Sequence, residues 1–222
     1  MATMAVMAAL HLGVFGTQPE ALIAFAVFAF GVMYLWRRLP AVYPHHRFGA
    51  CNAVTLLRAG LGASLLTPLF ASDPVAGNLG AWAVAGVALI VLALDGVDGM
   101  LARRSGLTSA FGARFDMEVD AALSLILTLH VLVDGTVGPV VLLLGVMRYL
   151  FVAAAMALPW LSAPLPQRFG RKMVCVAQVS ALIALQVPVL PSALAQWIAV
   201  VAGLALLWSF GRDTLWLWRH RP

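Results

Sequence analysis

The sequence predicts an all-α integral membrane protein, and three observations carry that expectation. Of 222 residues, 63% are hydrophobic and 10% charged, with a mean hydropathy of +0.96, far more apolar than an average soluble domain. Apolar runs fall at about 21–36, 52–72, 79–98, 112–133, 137–157, 172–189 and 192–216, giving seven candidate helices for a hydrocarbon core that takes about 20 residues to cross. The breaks between these runs carry basic residues on alternate sides only. No polar stretch is long enough for a soluble domain, the longest being a loop around 158–172.

The opening run, MATMAVMAALHLGVFG, has no positively charged leader, which argues against a cleaved secretory signal. It is also short for a span, so its placement stays open. The run at 21–36 is followed by Arg37, Arg38 and Arg47. The segment AVYPHHRFG then reads as an interfacial elbow; adjacent residues such as His45 and His46 point apart, so an interfacial role is expected of them rather than ligation. Turn chemistry closes the later runs: Ser72, Asp73 and Pro74; Asp134 and Gly135; Pro159 through Pro166; Pro188 through Pro191.

Arg103, Arg104 and Arg114 follow the third run, Arg168, Arg171 and Lys172 the fifth, and Arg212, Arg219 and Arg221 the seventh. By the positive-inside tendency these clusters, with the one after the first run, are cytoplasmic, and the amino terminus is outside. Lys and Arg outnumber acids 14 to 9, and on a membrane protein that excess reports anchoring and anionic headgroups rather than nucleic acid. Cys51 and Cys175 have no CxxC spacing and apolar neighbours, so both are expected to be small buried hydrophobes.

The stretch LDGVDGMLARRSGLTSAFGARFDMEVD, residues 94–120, breaks the apolar pattern. Asp95 and Asp98 are three apart at the end of the third run, and Asp116 and Asp120 four apart near the start of the fourth. At those spacings each pair shares one helix face. The connector RSGLTS is short, with Gly106 to turn the chain and Thr108 or Ser109 as N-cap, so the two helices should be antiparallel neighbours. Four carboxylates then converge at one membrane-embedded mouth.

An acid within a span costs about 2.5–3.5 kcal/mol on insertion scales, and like charges repel. Something positive must therefore sit among them. Nearby arginines can neutralise part of the charge; an oxygen-only ligand set suits a hard divalent cation, Mg²⁺ or Mn²⁺, one or two in number. Without Cys or His in the set, zinc fits poorly. Gly99, Ala102 and Gly112 lie one turn from the aspartates, where small residues serve either helix packing or close approach of a ligand to the backbone.

Written out, the stretch is D-x2-D-G-x2-A-R-x8-G-x3-D-x3-D, carried by Asp95, Asp98, Gly99, Ala102, Arg103, Gly112, Asp116 and Asp120. It resembles the signature of the CDP-alcohol phosphotransferase family at every fixed position. The resemblance extends, less specifically, to NAVTLLR, with Asn52, Thr55 and Arg58 near the same mouth. It implies a six-helix transmembrane catalytic core over residues 43–222, with residues 1–42 as an extension bearing one extra transmembrane helix. It also implies a multi-pass membrane enzyme, in some members a homodimer, whose site faces the cytoplasm.

By the same resemblance, Asp95, Asp98, Asp116 and Asp120 bind metal, and Asp120 is the catalytic base. Asn52, Thr55, Gly99, Ala102, Arg103 and Gly112 line the CDP pocket. Glu118 points off the carboxylate face and is expected to pair with an arginine. The expected reaction moves a phosphatidyl group from CDP-diacylglycerol to a small polar alcohol and releases CMP.

Arg148 lies in mid-run in VMRYLF and should face the interior, meeting an anion or a carboxylate. With Arg168, Arg171 and Lys172 it suits an acceptor that itself carries phosphate, although the last three also serve simply as a positive-inside cluster. An aminoalcohol phosphotransferase using CDP-choline or CDP-ethanolamine with diacylglycerol is an alternative. A prenyltransferase would need a second aspartate-rich helix, whereas Asp73, Asp134 and Asp213 are isolated in sequence. An ion-coupled transporter would leave the fixed Gly, Ala and Arg spacing unexplained and would be expected to show a repeat.

Overall fold

A computed structural model describes residues 1–16, 19–42, 49–71, 78–105, 109–163, 165 and 169–221. Among these residues every regular element is helical: α1 (Ala2–Leu10), continued by a π turn at His11–Phe15, α2 (Ala21–Val42), α3 (Ala50–Ser64), α4 (Leu66–Phe70), α5 (Asn78–Ser105), α6 (Ala110–Asp134), α7 (Leu142–Ala157), α8 (Phe169–Ala184) and α9 (Ser192–Arg219), with short 3-10 turns at Pro139–Val141 and Pro159–Ser162. His45 and His46 lie outside the described residues, as do Arg47, Gly106, Thr108, Arg168, the break at 72–74 and the side chains of Arg38 and Arg103.

Among the described residues, four stretches are long and apolar enough to cross a membrane: Ala50–Phe70, Asn78–Ala102, Pro139–Ala157 and Ser192–Arg219. At about 1.5 Å per residue, the 28-residue α9 reaches about 42 Å, beyond a hydrocarbon core of about 30 Å. The runs expected at 52–72 and 172–189 are each cut by proline. Pro68 would set its ring against the carbonyl of Ser64, so the helix breaks at Leu65, whose N–H turns back to the Gly62 carbonyl at 3.1 Å. Pro188 disfavours helical backbone at Val187, and α8 closes at Ala184 in a series of turns.

Packing divides the chain into two compact units, Met1–Ile126 and Leu127–Pro222. In the first, α3 packs along α5 and is also met by α1 and α2. Its core contains Leu61, Leu65, Val84, Ala88, Val91 and Leu123. The open run at the amino terminus is therefore a packed helix: a Cβ on Gly60 of α3 would fall 2.5 Å from Thr3 Cγ2, so only a glycine lets α1 come so close. The ring of buried His11 lies 2.8 Å from Thr67 Oγ1 and 2.7 Å from the Met7 carbonyl, tying the π turn to α4.

In the second unit α8 and α7 pack against α9, around Leu144, Val179, Leu182, Ala195, Ala199 and Leu206. Gln186 Nε2 donates to the Leu127 carbonyl at 3.0 Å, and Gln178 Nε2 to that of Leu144. Both carbonyls lie inside helices and already take the N–H four residues on, so these bonds serve the glutamine amides, which would otherwise be unpaired donors in apolar surroundings. Outward faces are apolar as well: Leu89 and Ile90 of α5 and Trp197 and Trp208 of α9 are more than half exposed, as a bilayer requires. Cys51 is buried as expected, but Cys175 is exposed, because it sits near the start of α8, before the level at which Val179 and Leu182 are covered.

Candidate active site

Asn52, Thr55 and Arg58 follow one another at three-residue steps on α3 and share the face that turns towards α5 and α6. All three are buried. Asp95 and Asp98 stand on α5, which continues two turns past the end of the apolar run and so also carries Gly99, Ala102 and Arg103. Asp116 and Asp120 stand on the first three turns of α6. Of the two N-cap residues expected, Ser109 makes the bond: its Oγ accepts the Gly112 N–H at 3.0 Å.

The four aspartates meet at one guanidinium. Arg58 Nη1 donates to Asp98 Oδ2 at 2.7 Å and to Asp116 Oδ1 at 2.5 Å. Its Nη2 lies 3.0 Å from Asp95 Oδ1 and donates to Asp120 Oδ1. Nε donates to the Val91 carbonyl at 3.2 Å, which anchors the side chain to α5. Thr55 Oγ1 stands 3.0 Å from Asp98 Oδ2 and 3.1 Å from the Cys51 carbonyl, and its one proton serves either.

Arg58 is 1% exposed, whereas the side chains of Asp116 and Asp120 are 36% and 38% exposed. The cluster therefore has a sealed side at α3 and an open side at α6. Arg58 was placed near the mouth by sequence but not among the site residues, although an arginine in an apolar helix, two turns from Asn52 and on the same face, is the signal that finds it.

One guanidinium offsets the charge of one carboxylate, and four acids meet it, which leaves oxygen ligands to spare for a divalent ion. Asp95, Asp98 and Asp116 each offer an oxygen, all within 4.8 Å of one another. Those oxygens fit a single hard cation after slight contraction, or members of a pair held about 3.5–4 Å apart. Gly112 brings α6 close to α3: an added Cβ would meet Asn52 Oδ1 at 3.2 Å and Ser109 Oγ at 3.3 Å. Its small size is thus used in packing beside the cluster. Gly99 and Ala102 are half-buried, one turn beyond Asp95 and Asp98 respectively. Glu118 is exposed and lines a cleft with Arg58 and Arg114.

The residues expected to bind the acceptor belong to the second unit. Arg148 is half-buried on α7 and Lys172 exposed on α8. Arg171 Nε lies 3.1 Å from Asp213 Oδ2. Asp213, isolated in sequence, is buried and pairs with this cation.

A family model described as CDP-alcohol phosphatidyltransferase matches residues 48–208, a segment that contains all four aspartates and Arg58. No curated protein and no solved structure gives a significant match.

Proposed function

Because this chain belongs to the CDP-alcohol phosphatidyltransferase family, we propose that it transfers a phosphatidyl group from CDP-diacylglycerol to the hydroxyl of a small polar alcohol, with release of CMP. The observation that carries this reading is the convergence of Asp95, Asp98, Asp116 and Asp120 on one buried cation within the matched segment. Residues 43–222 form the catalytic domain, a six-helix core, and residues 1–42 an extension with one further membrane helix. The site faces the cytoplasm, where the basic clusters lie.

Asp95, Asp98, Asp116 and Asp120 would hold Mg²⁺ or Mn²⁺, which when bound supplies positive charge to the diphosphate and to the departing CMP. Arg58 holds the carboxylates in register from the sealed side. Asn52, Thr55, Gly99, Ala102, Arg103 and Gly112 surround the CDP moiety. Asp120, on the open side, accepts the proton of the acceptor hydroxyl as that oxygen bonds to phosphorus and the bond to CMP breaks. Attack by the acceptor itself makes a phosphoenzyme unnecessary. Arg148, Arg168, Arg171 and Lys172 favour an acceptor that carries phosphate of its own.

The test is product identity. Purified protein is given CDP-diacylglycerol, Mg²⁺ and, separately, glycerol 3-phosphate, inositol phosphate, inositol or serine. A phosphatidyl product with one phosphorylated acceptor supports the assignment. A product formed only from CDP-choline or CDP-ethanolamine and diacylglycerol would replace it by the aminoalcohol reaction.

A further inference from the structure

Within the first unit, α2, α3 and α6 enclose a cleft of about 500 Å³, inside the range of about 300–1,000 Å³ typical of small-ligand sites. Its walls are apolar. Val27 and Val32 of α2, Leu56 of α3, and Phe115 and Leu123 of α6 are among the apolar lining residues, and Gly31, Ala59, Gly62 and Ala122 keep it open. A Cβ added to Gly31 would meet nothing within 4 Å, and one added to Gly62 only Leu123 Cδ1 at 4.0 Å. The charged lining is confined to Arg58, Arg114 and Glu118. Arg58 is the same side chain that binds the four aspartates, so the cleft adjoins the acidic cluster.

An apolar trough that adjoins a phosphate-handling centre has the polarity of a lipid with an anionic head and a hydrocarbon tail. One wall, α2, lies outside the family-matched segment 48–208. We infer that α2 makes the amino-terminal extension a specificity element, forming with α3 and α6 a cleft that takes one acyl chain of the lipid substrate. This rests on the phosphatidyl-transfer reading above, and it assigns to residues 21–37 control over chain length rather than over the chemistry.

The test substitution is Gly31→Phe. Open space surrounds the position, and replacing a mid-helix glycine removes a helix penalty, so folding is preserved. CMP release is compared for CDP-diacylglycerols with dioleoyl and dihexanoyl chains. The variant is expected to lose about tenfold or more in kcat/KM for the long-chain donor, and to stay within about twofold of wild type for the short-chain one. In parallel, a CDP-diacylglycerol with a diazirine at mid-chain is photolysed on both proteins and the adducts mapped. Labelling of α2 that excess unlabelled lipid competes away, and that Gly31→Phe abolishes, is expected.

Equal effects on both donors, no effect on either, or labelling of α2 insensitive to competitor and to Gly31→Phe would overturn the inference while leaving the transfer reaction in place. If competed labelling of α2 is seen without CMP release for any acceptor, the cleft assignment holds and the reaction reading fails.

Discussion

Replacing Arg58 by methionine keeps most of the side-chain volume but leaves four carboxylates without their shared cation. Asp98 and Asp95 are only 6% and 15% exposed in their side chains, so water cannot readily take over. Removing one partner from a buried ion pair costs about 3–5 kcal/mol. In a chain of 222 residues each kcal/mol moves Tm by about 2–4 °C, so the variant should melt about 6–20 °C below wild type.

Tryptophan fluorescence of detergent-purified protein follows the transition. Millimolar Mg²⁺ should raise Tm more in Arg58→Met than in wild type, because the freed carboxylates bind the ion without competition from the guanidinium and ligand binding stabilises the folded state. Combining Arg58→Met with Asp98→Asn should recover part of the loss as a positive coupling of about 0.5–3 kcal/mol. A shift under about 2 °C, well below the range set by burial of the pair, would refute the claim that Arg58 organises the cluster.

Chelation of divalent ions with EDTA should abolish CMP release, and added Mg²⁺ or Mn²⁺ should restore it; turnover unaffected by the chelator would remove the metal from the mechanism. Gly145→Ala sets a Cβ 2.8 Å from Thr128 Cβ and Oγ1, an overpacking that should cost about 1–3 kcal/mol, read as a lowered Tm. Asp213→Asn uncouples Arg171, which is 34% exposed, so the stability loss should stay near about 1 kcal/mol.

The helical class and the acidic mouth were legible because both follow from short-range pattern: long apolar runs, and aspartates at three- and four-residue spacing on helices that meet across a short connector. The N-cap at Ser109 was legible for the same reason, being a local hydrogen bond. Arg58 was harder to assign. Its neighbours Leu56, Leu57 and Ala59 say only that it is on an apolar helix, and its meeting with carboxylates 37 to 62 positions further on is set by how α3 packs against α5 and α6.

The helix ends at Leu65 and Ala184 were masked by hydropathy, which is blind to what Pro68 and Pro188 do to the backbone. Burial of Asp213 against Arg171 is likewise a long-range event without a sequence signature. The role of residues 1–42 was open in the sequence because an apolar helix reads alike whether it anchors or lines a cleft. That α2 lies against α3 and lines a cleft with α3 and α6 is set by long-range packing, which hydropathy does not report.

The central claim is that the aspartate cluster performs phosphatidyl transfer with Asp120 as base. Its most direct test is CMP release from CDP-diacylglycerol by wild type and Asp120→Asn, each with Mg²⁺ and the preferred acceptor, at equal folded concentration. Wild type should release CMP only with the acceptor, and the variant should lose about 10²–10⁴-fold with its Tm maintained. Release by Asp120→Asn at the wild-type rate, or release by wild type that ignores the acceptor, would contradict that claim.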